Sequence, residues 1–214
     1  MRPVLFLFLI LLALTPSLAQ AQAQFGILAG WSRTDWDLDS YFGGGDSLEP
    51  KNGFQAGLYL EGRLTGLLGM RTELLYTRKG AKEKAQAVDE NGQPQGEITV
   101  FFNADYIQIP LLFTLDFTSR PVKVKPQIFA GPYLAGKISS KLKVEGTPSN
   151  PYLPEGETDL VMENVDFGLV FGFGVEFKAG SHPILAQVRF DLGLTDVYYG
   201  AKNQALTLMA GYGF

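Results

Sequence analysis

The sequence predicts an all-β protein, an eight-stranded antiparallel transmembrane up-and-down β-barrel. Three observations carry the prediction. Eight segments alternate apolar residues with glycine, polar or charged ones at a period of two. Many of them run to roughly the 9–11 residues that a tilted strand needs to cross a bilayer. The links between them follow a short–long rhythm, as expected of tight periplasmic turns and longer external loops.

Residues 1–21 precede the barrel and have the layout of a secretory signal peptide. Arg2 supplies a positive start, the apolar run Val4–Leu14 follows, and small residues come after Pro16. Ala19-Gln20-Ala21 and Ala21-Gln22-Ala23 both fit a cleavage pattern, so cleavage is expected within residues 19–23. The apolar run falls well short of the roughly 20 residues of a spanning helix, which disfavours an uncleaved anchor. Removing Arg2 changes the net charge from -4 to -5. The barrel domain is assigned to residues 24–214.

The strands follow in chain order. Phe25, Ile27, Ala29 and Trp31 share one face, as do Phe54, Ala56, Leu58 and Leu60 in the second segment. Met70, Thr72, Leu74 and Tyr76 form the third set, and Ile107, Ile109, Leu111, Phe113 and Leu115 the fourth. Val124, Pro126, Ile128 and Ala130 make the fifth, and the odd residues from Val165 to Phe177 the sixth. The even residues from Ile184 to Leu194 and from Leu206 to Phe214 complete the eight. Short links are expected at 64–67, 118–121 and 178–183, and long polar ones at 34–50, 80–97, 139–160 and 196–203.

Alternation alone does not say which face meets water, and a soluble sandwich or lipocalin-like barrel would show it too. The polar parity decides for the membrane. It is rich in glycine and in charges of both signs: Glu61, Arg63, Arg71, Glu73, Asp116, Lys125, Glu176, Arg189 and Asp191. A narrow barrel must fill its interior with small side chains and paired charges, because unpaired buried charge is costly. These residues are therefore expected to form a structural charge network in the lumen. Tyr212 and Phe214, aromatic and on one face of the last segment, are the expected assembly signal for the barrel-assembly machinery.

Composition removes several functions. With no Cys there are no disulfides, thiol nucleophiles or Cys-ligated zinc, and one His, His182, precludes a multi-His metal site. A net charge of -4 argues against a nucleic-acid partner.

Asp105-Tyr106-Ile107-Gln108-Ile109-Pro110-Leu111-Leu112 resembles the "YLEIPLL" strand of the bacterial outer-membrane β-barrel family often called PorT-like or porin-family proteins. Gly53-Phe54-Gln55-Ala56-Gly57, the run Arg71 to Gly80, and Phe129-Ala130-Gly131-Pro132-Tyr133 are similar to that family's second, third and fifth strands, in the right order. The resemblance implies an eight-stranded barrel in the outer membrane of a Gram-negative-type cell, mostly without assigned activity. Some relatives serve secretion.

Candidate sites are few. Arg78, Lys79, Lys82 and Lys84, with Lys137, Lys141 and Lys143, fall near the outer strand ends, where they would suit lipopolysaccharide phosphates or an ordinary solvated rim. Asp35-Trp36-Asp37-Leu38-Asp39 has calcium-loop spacing, but Ser40 and Asp46 depart from the sixth and twelfth positions, so a solvated acidic loop is preferred. Glu61 and Glu73 are read as network members rather than hydrolytic carboxylates, and His182 beside Ser181 as a turn residue. Trp31, Trp36, Tyr76, Phe101, Tyr198 and Tyr199 are expected in the outer aromatic girdle, and Phe117, Phe177, Tyr212 and Phe214 in the inner one. No catalytic residue, metal or cofactor is assigned. The expected role is a non-enzymatic membrane anchor whose external loops bind a partner or surface ligand. Passive solute transport and a lipid-modifying enzyme are the alternatives.

Overall fold

A computed structural model describes residues 23–38, 48–88, 94–118, 122–146, 156–180 and 182–214. The segment read as a signal peptide lies outside the described residues. The regular elements are strands: β1 (Gln24–Leu38), β2 (Glu49–Arg63), β3 (Leu68–Val88), β4 (Pro94–Asp116), β5 (Val124–Gly146), β6 (Gly156–Asp159), β7 (Val165–Ala179), β8 (His182–Gly193) and β9 (Ala201–Gly213). Every pairing is antiparallel. The ring runs β1-β2-β3-β4-β5-β7-β8-β9, and β9 closes on β1 from Gly26↔Gly213 to Leu38↔Ala201. Closure removes the free sheet edges that an open sheet would expose. Eight strands form the barrel, as expected.

The ninth strand is an addition. β6 pairs only with the upper part of β5, from Lys141↔Asp159 to Val144↔Gly156. Lower on the same edge, β5 pairs with β7 from Val124↔Phe177 to Gly136↔Val165. The long links expected at 34–50, 80–97 and 139–160 are therefore shorter than read, because β1 to β5 continue into them. In these extensions the outward face turns polar, as at Arg33, Asp35, Lys82, Asn103, Lys141 and Lys143, so the lipid-facing alternation fades although the backbone ladder persists. The wall is uneven in height: β3, β4 and β5 have 21, 23 and 23 residues, β8 and β9 only 12 and 13.

Side chains alternate across the wall as the period requires. Phe25, Ile27, Trp31, Leu74, Phe171, Phe173, Val188 and Leu208 stand on the outside, each 45–59% exposed. Inside, glycine makes room for rings. A Cβ at Gly168 would lie 2.6 Å from the Tyr133 ring, and one at Gly26 2.3 Å from that of Tyr59. At both positions an aromatic ring projects into the lumen over a residue that has no side chain.

Candidate functional site

The lumen is filled in tiers of charge, built by inward residues of β2, β3, β4, β5, β7 and β8. At the short-turn end Lys125 Nζ lies 3.3 Å from Asp116 and 3.2 Å from Glu176, while Arg63, half exposed at the rim, holds Asp116 from outside at 3.1 Å. Above them Arg71 donates to Glu61 through Nη2 at 2.6 Å and to Gln187 through Nη1 at 3.0 Å, and its guanidinium lies 5.5 Å from the Tyr59 ring centre. Glu73 stands 4.0 Å from Arg71 and 2.6 Å from Arg189, whose Nε donates to Asp191 at 3.0 Å. Asp191 also accepts from the amides of Gln55 and Gln108, at 3.0 and 2.9 Å. Each acid thus has a cation, and the cations alternate with acids along the axis. That arrangement offsets the desolvation that isolated charges would suffer.

The next tier was missed in the sequence and corrects one assignment. Lys79, expected at the outer rim, points into the barrel and is 1% exposed. Its Nζ lies 3.2 Å from Asp166 and 4.3 Å from the Tyr133 ring centre. Asp166 also accepts from the Tyr133 hydroxyl at 3.1 Å and from the Asn203 amide at 2.9 Å. The physical reason is parity: β3 places Leu74, Tyr76 and Arg78 outside, so Arg71, Glu73 and Lys79 must lie inside. The same count sends Lys137 inward, where it is half-buried and donates to the Met162 carbonyl at 2.6 Å. Neither lysine belongs to an outer rim.

An apolar cap closes the long-strand end. Trp36 and Tyr198, expected in the girdle, instead meet Phe102 inside the mouth, with ring centres 5.2, 5.5 and 6.1 Å apart. Trp36 is 4% exposed, and its indole N–H donates to Asn203 at 2.9 Å. Trp36 turns inward because it is an even residue on a strand whose odd residues face out. Met162 and Val197 pack into the same cluster. They come from residues 160–164 and 194–200, which are tied together by the Glu163 N–H to Val197 carbonyl bond at 3.0 Å. The first segment is fastened to β5 by Leu160 N–H to Ser140 O and Lys137 N–H to Asn164 O, at 3.0 and 2.8 Å.

Asp35 and Asp37 sit on extended β1 rather than in a loop, and Asp37 accepts from Gln204 at 3.0 Å. A straight strand cannot wrap a cation as a calcium loop does, and Asp39, Ser40 and Asp46 lie outside the described residues. His182 begins β8, with Nδ1 3.3 Å from the Gly213 carbonyl and its ring stacked on Tyr212. Tyr212 packs edge-on against Phe214, which stacks on Phe25 across the closing seam. Phe117, Phe177, Tyr212 and Phe214 all face outward at the short-turn end.

Residues 18–199 match the family model described as "Outer membrane protein beta-barrel domain". The chain belongs to that family. It is an outer-membrane protein, whose apolar outer surface faces lipid. Among solved structures it is similar to Neisserial surface protein A, at 17% identity over 89% of this chain and 97% of that one, with a TM-score of 0.49. It is also similar to OprG of Pseudomonas aeruginosa, at 12% identity over 91% and 97%, TM-score 0.45. The E. coli outer membrane protein W is a third, at 13% over 90% and 98%, TM-score 0.41. Among curated proteins none matches.

By the rule for such barrels, short turns face the periplasm and the tall wall stands outside. Above the lipid-facing belt of Trp31, Phe54 and Tyr76, the outward face of that wall turns polar. A groove of about 640 Å³ opens there across β1 to β6. Arg33, Lys51, Arg78, Lys82, Lys141 and Lys143 line it, interleaved with Asp105, Glu145 and Glu157. Arg78 pairs with Asp105 at 2.8 Å, Lys141 with Glu157 at 2.7 Å and Lys143 with Glu145 at 2.6 Å. Lys82 is 3.0 Å from Glu49, and Lys84 is 4.0 Å from Glu49 and 3.8 Å from Glu97. Hydrogen bonds from Lys141 to Glu157, and from Lys143 to Glu145, push both ammonium pKa values up.

Proposed function

We propose that the protein is a non-enzymatic outer-membrane anchor that uses its tall outer wall to bind a partner or surface ligand. One observation carries this reading. Arg71, Glu73, Lys79, Asp166, Arg189 and Asp191 are each at most 2% exposed, although they line the axis along which a pore would have to run. An eight-stranded barrel has an interior just wide enough for side chains to fill, and here the cap of Trp36, Phe102, Tyr198 and Met162 covers the charges from outside. The longest stretches of strand stand at that same capped end. Twelve residues of β3 follow Tyr76, roughly 40 Å of strand at 3.3–3.4 Å per residue, and the outward residues Arg78, Gly80, Lys82 and Lys84 form no apolar row.

Lipid-modifying chemistry has less support. Glu61 and Glu73 are both engaged by arginine, and His182 contacts a backbone carbonyl and an aromatic ring. Planar-bilayer recording of the reconstituted protein tests the anchor against the pore. No stable conductance is expected; a reproducible single-channel step would overturn the reading. Pull-downs from intact outer membranes, with segments 89–93 and 147–155 shortened in turn, then ask whether the outer wall holds a partner.

A further inference from the structure

The geometry points to a binding site for the phosphorylated sugar headgroup of an outer-leaflet glycolipid in the groove formed by Arg33, Lys51, Arg78, Lys82 and Lys141. This deepens the anchor reading and rests on it, since it names the surface ligand.

Two of the cations differ from the rest. The Arg33 guanidinium on β1 makes no hydrogen bond or ion pair with the described residues, and its charge is felt by Asp35 and Glu49 through electrostatic attraction alone. Lys51 is 7% exposed, yet its ammonium meets only neutral acceptors, the Phe102 carbonyl at 3.3 Å and the Asn103 side-chain oxygen. It gets there by crossing β3 at Gly80, whose outward position carries no side chain; Asn103 on β4 pairs with Gly80, and a Cβ there would lie 1.9 Å from the Phe102 carbonyl. Burial, with Arg78 nearby and only Asp105 opposing, pushes the Lys51 pKa down to about 8. A desolvated cation beside a second cation is a place where an anion is stabilising. Charge-assisted bonds from arginine and lysine are the standard means of holding phosphate.

Orientation selects a membrane lipid over a soluble anion. The groove opens sideways from the wall rather than upward from the mouth, and its lower border is the lipid-facing belt. Arg78 belongs to both: its guanidinium lies 5.7 Å from the Phe54 ring centre and its Nη2 donates to the Tyr76 hydroxyl at 3.4 Å. A headgroup seated there lets its acyl chains run down past Phe54, Leu58 and Leu74, all outward and exposed. The interleaved carboxylates Asp105, Glu145 and Glu157 supply acceptors for sugar hydroxyls. A volume of about 640 Å³ falls within the roughly 300–1,000 Å³ of ordinary ligand sites.

The test is native mass spectrometry of the full barrel released from phosphatidylethanolamine nanodiscs seeded with either lipid A or phosphatidylglycerol. The wild-type chain should retain lipid A in preference to phosphatidylglycerol. Arg33→Gln/Lys51→Gln should lower the retained fraction by at least about tenfold, and Lys178→Gln, an exposed periplasmic-side control, should not. A ligand-side measurement stands apart from variant folding: dephosphorylated lipid A should be lost from the wild type to the same degree. Equal retention of both lipids, or retention indifferent to the phosphates, overturns the site. Failure of the chain to enter nanodiscs at all would instead overturn the membrane anchor beneath it.

Discussion

Breaking the Lys79–Asp166 pair tests whether the lumen is sealed. The two groups are 1% and 0% exposed and 3.2 Å apart, so removing one strands the other away from water. Stranding one member of a buried pair costs about 3–5 kcal/mol, against about 0–1 kcal/mol for an exposed pair. Lys79→Met should fall at the lower end, about 3 kcal/mol, because Asp166 keeps the Tyr133 hydroxyl and the Asn203 amide as donors. Asp166→Leu should fall at the upper end, about 5 kcal/mol. It leaves an ammonium with the faces of Tyr133 and Tyr106 and the attraction of Asp191, already paired with Arg189, and takes the acceptor from both donors. The double variant leaves no stranded charge, so the two single costs should exceed its own by at least about 2 kcal/mol. Urea unfolding in detergent micelles, followed by tryptophan emission, reads these values; Trp36 reports locally, being bonded to the Asn203 that holds Asp166. At about 3 kcal/mol the unfolding constant moves by more than a hundredfold. Glu157→Gln, at a fully exposed pair, should leave the midpoint unchanged. Single costs below about 1 kcal/mol that simply add would mean that the pair is bathed in water. The interior would then be open to water rather than sealed.

Other consequences follow from the same geometry. Phe171→Arg, halfway along the lipid face of β7, should destabilise the folded barrel by about 2–4 kcal/mol in vesicles; a neutral result in refolding titrations would mean that this face does not meet lipid. Trp36→Ala should cost about 3–5 kcal/mol by emptying the mouth cluster, while bilayer recordings stay silent, because the charged tiers beneath remain. Lys51 gives a pH signature of definite sign. In the unfolded chain it stays protonated to its ordinary 10.5 and in the folded one only to about 8. The unfolded state therefore binds more protons between those values, and stability should rise with pH across that window. Lipid A retention should fall over the same range as the ammonium is lost, and Lys51→Gln should flatten both curves; a lipid profile that rises with pH would contradict the role given to Lys51.

Much of the architecture was legible in the chain, and the reasons are specific. A period of two fixes which residues share a face, so the strands of the ring and their lipid-facing rows could be read directly from runs such as Val165–Phe177 and Leu206–Phe214. The inward position of Lys79 was equally legible, since parity places it with Arg71 and Glu73. Proximity in sequence hides it, because beside Arg78, Lys82 and Lys84 it looks like one more member of an outer cluster. Trp36 is obscured for a related reason: an aromatic near a strand end resembles a girdle residue, and only its even parity sets it inside.

Period and parity, then, were set by local sequence, because alternation is a property of a single extended strand. Partners were not. Lys51 reaches β4 across Gly80, Asp166 gathers groups from three other strands, and β6 finds the upper edge of β5, all through pairings between residues distant in the chain. The groove exists only because five strands outgrow the membrane together and bring their outward cations side by side. No single strand contains enough of them to show that surface, and only closure of the ring decides which charges are shielded and which are left facing the lipid headgroups.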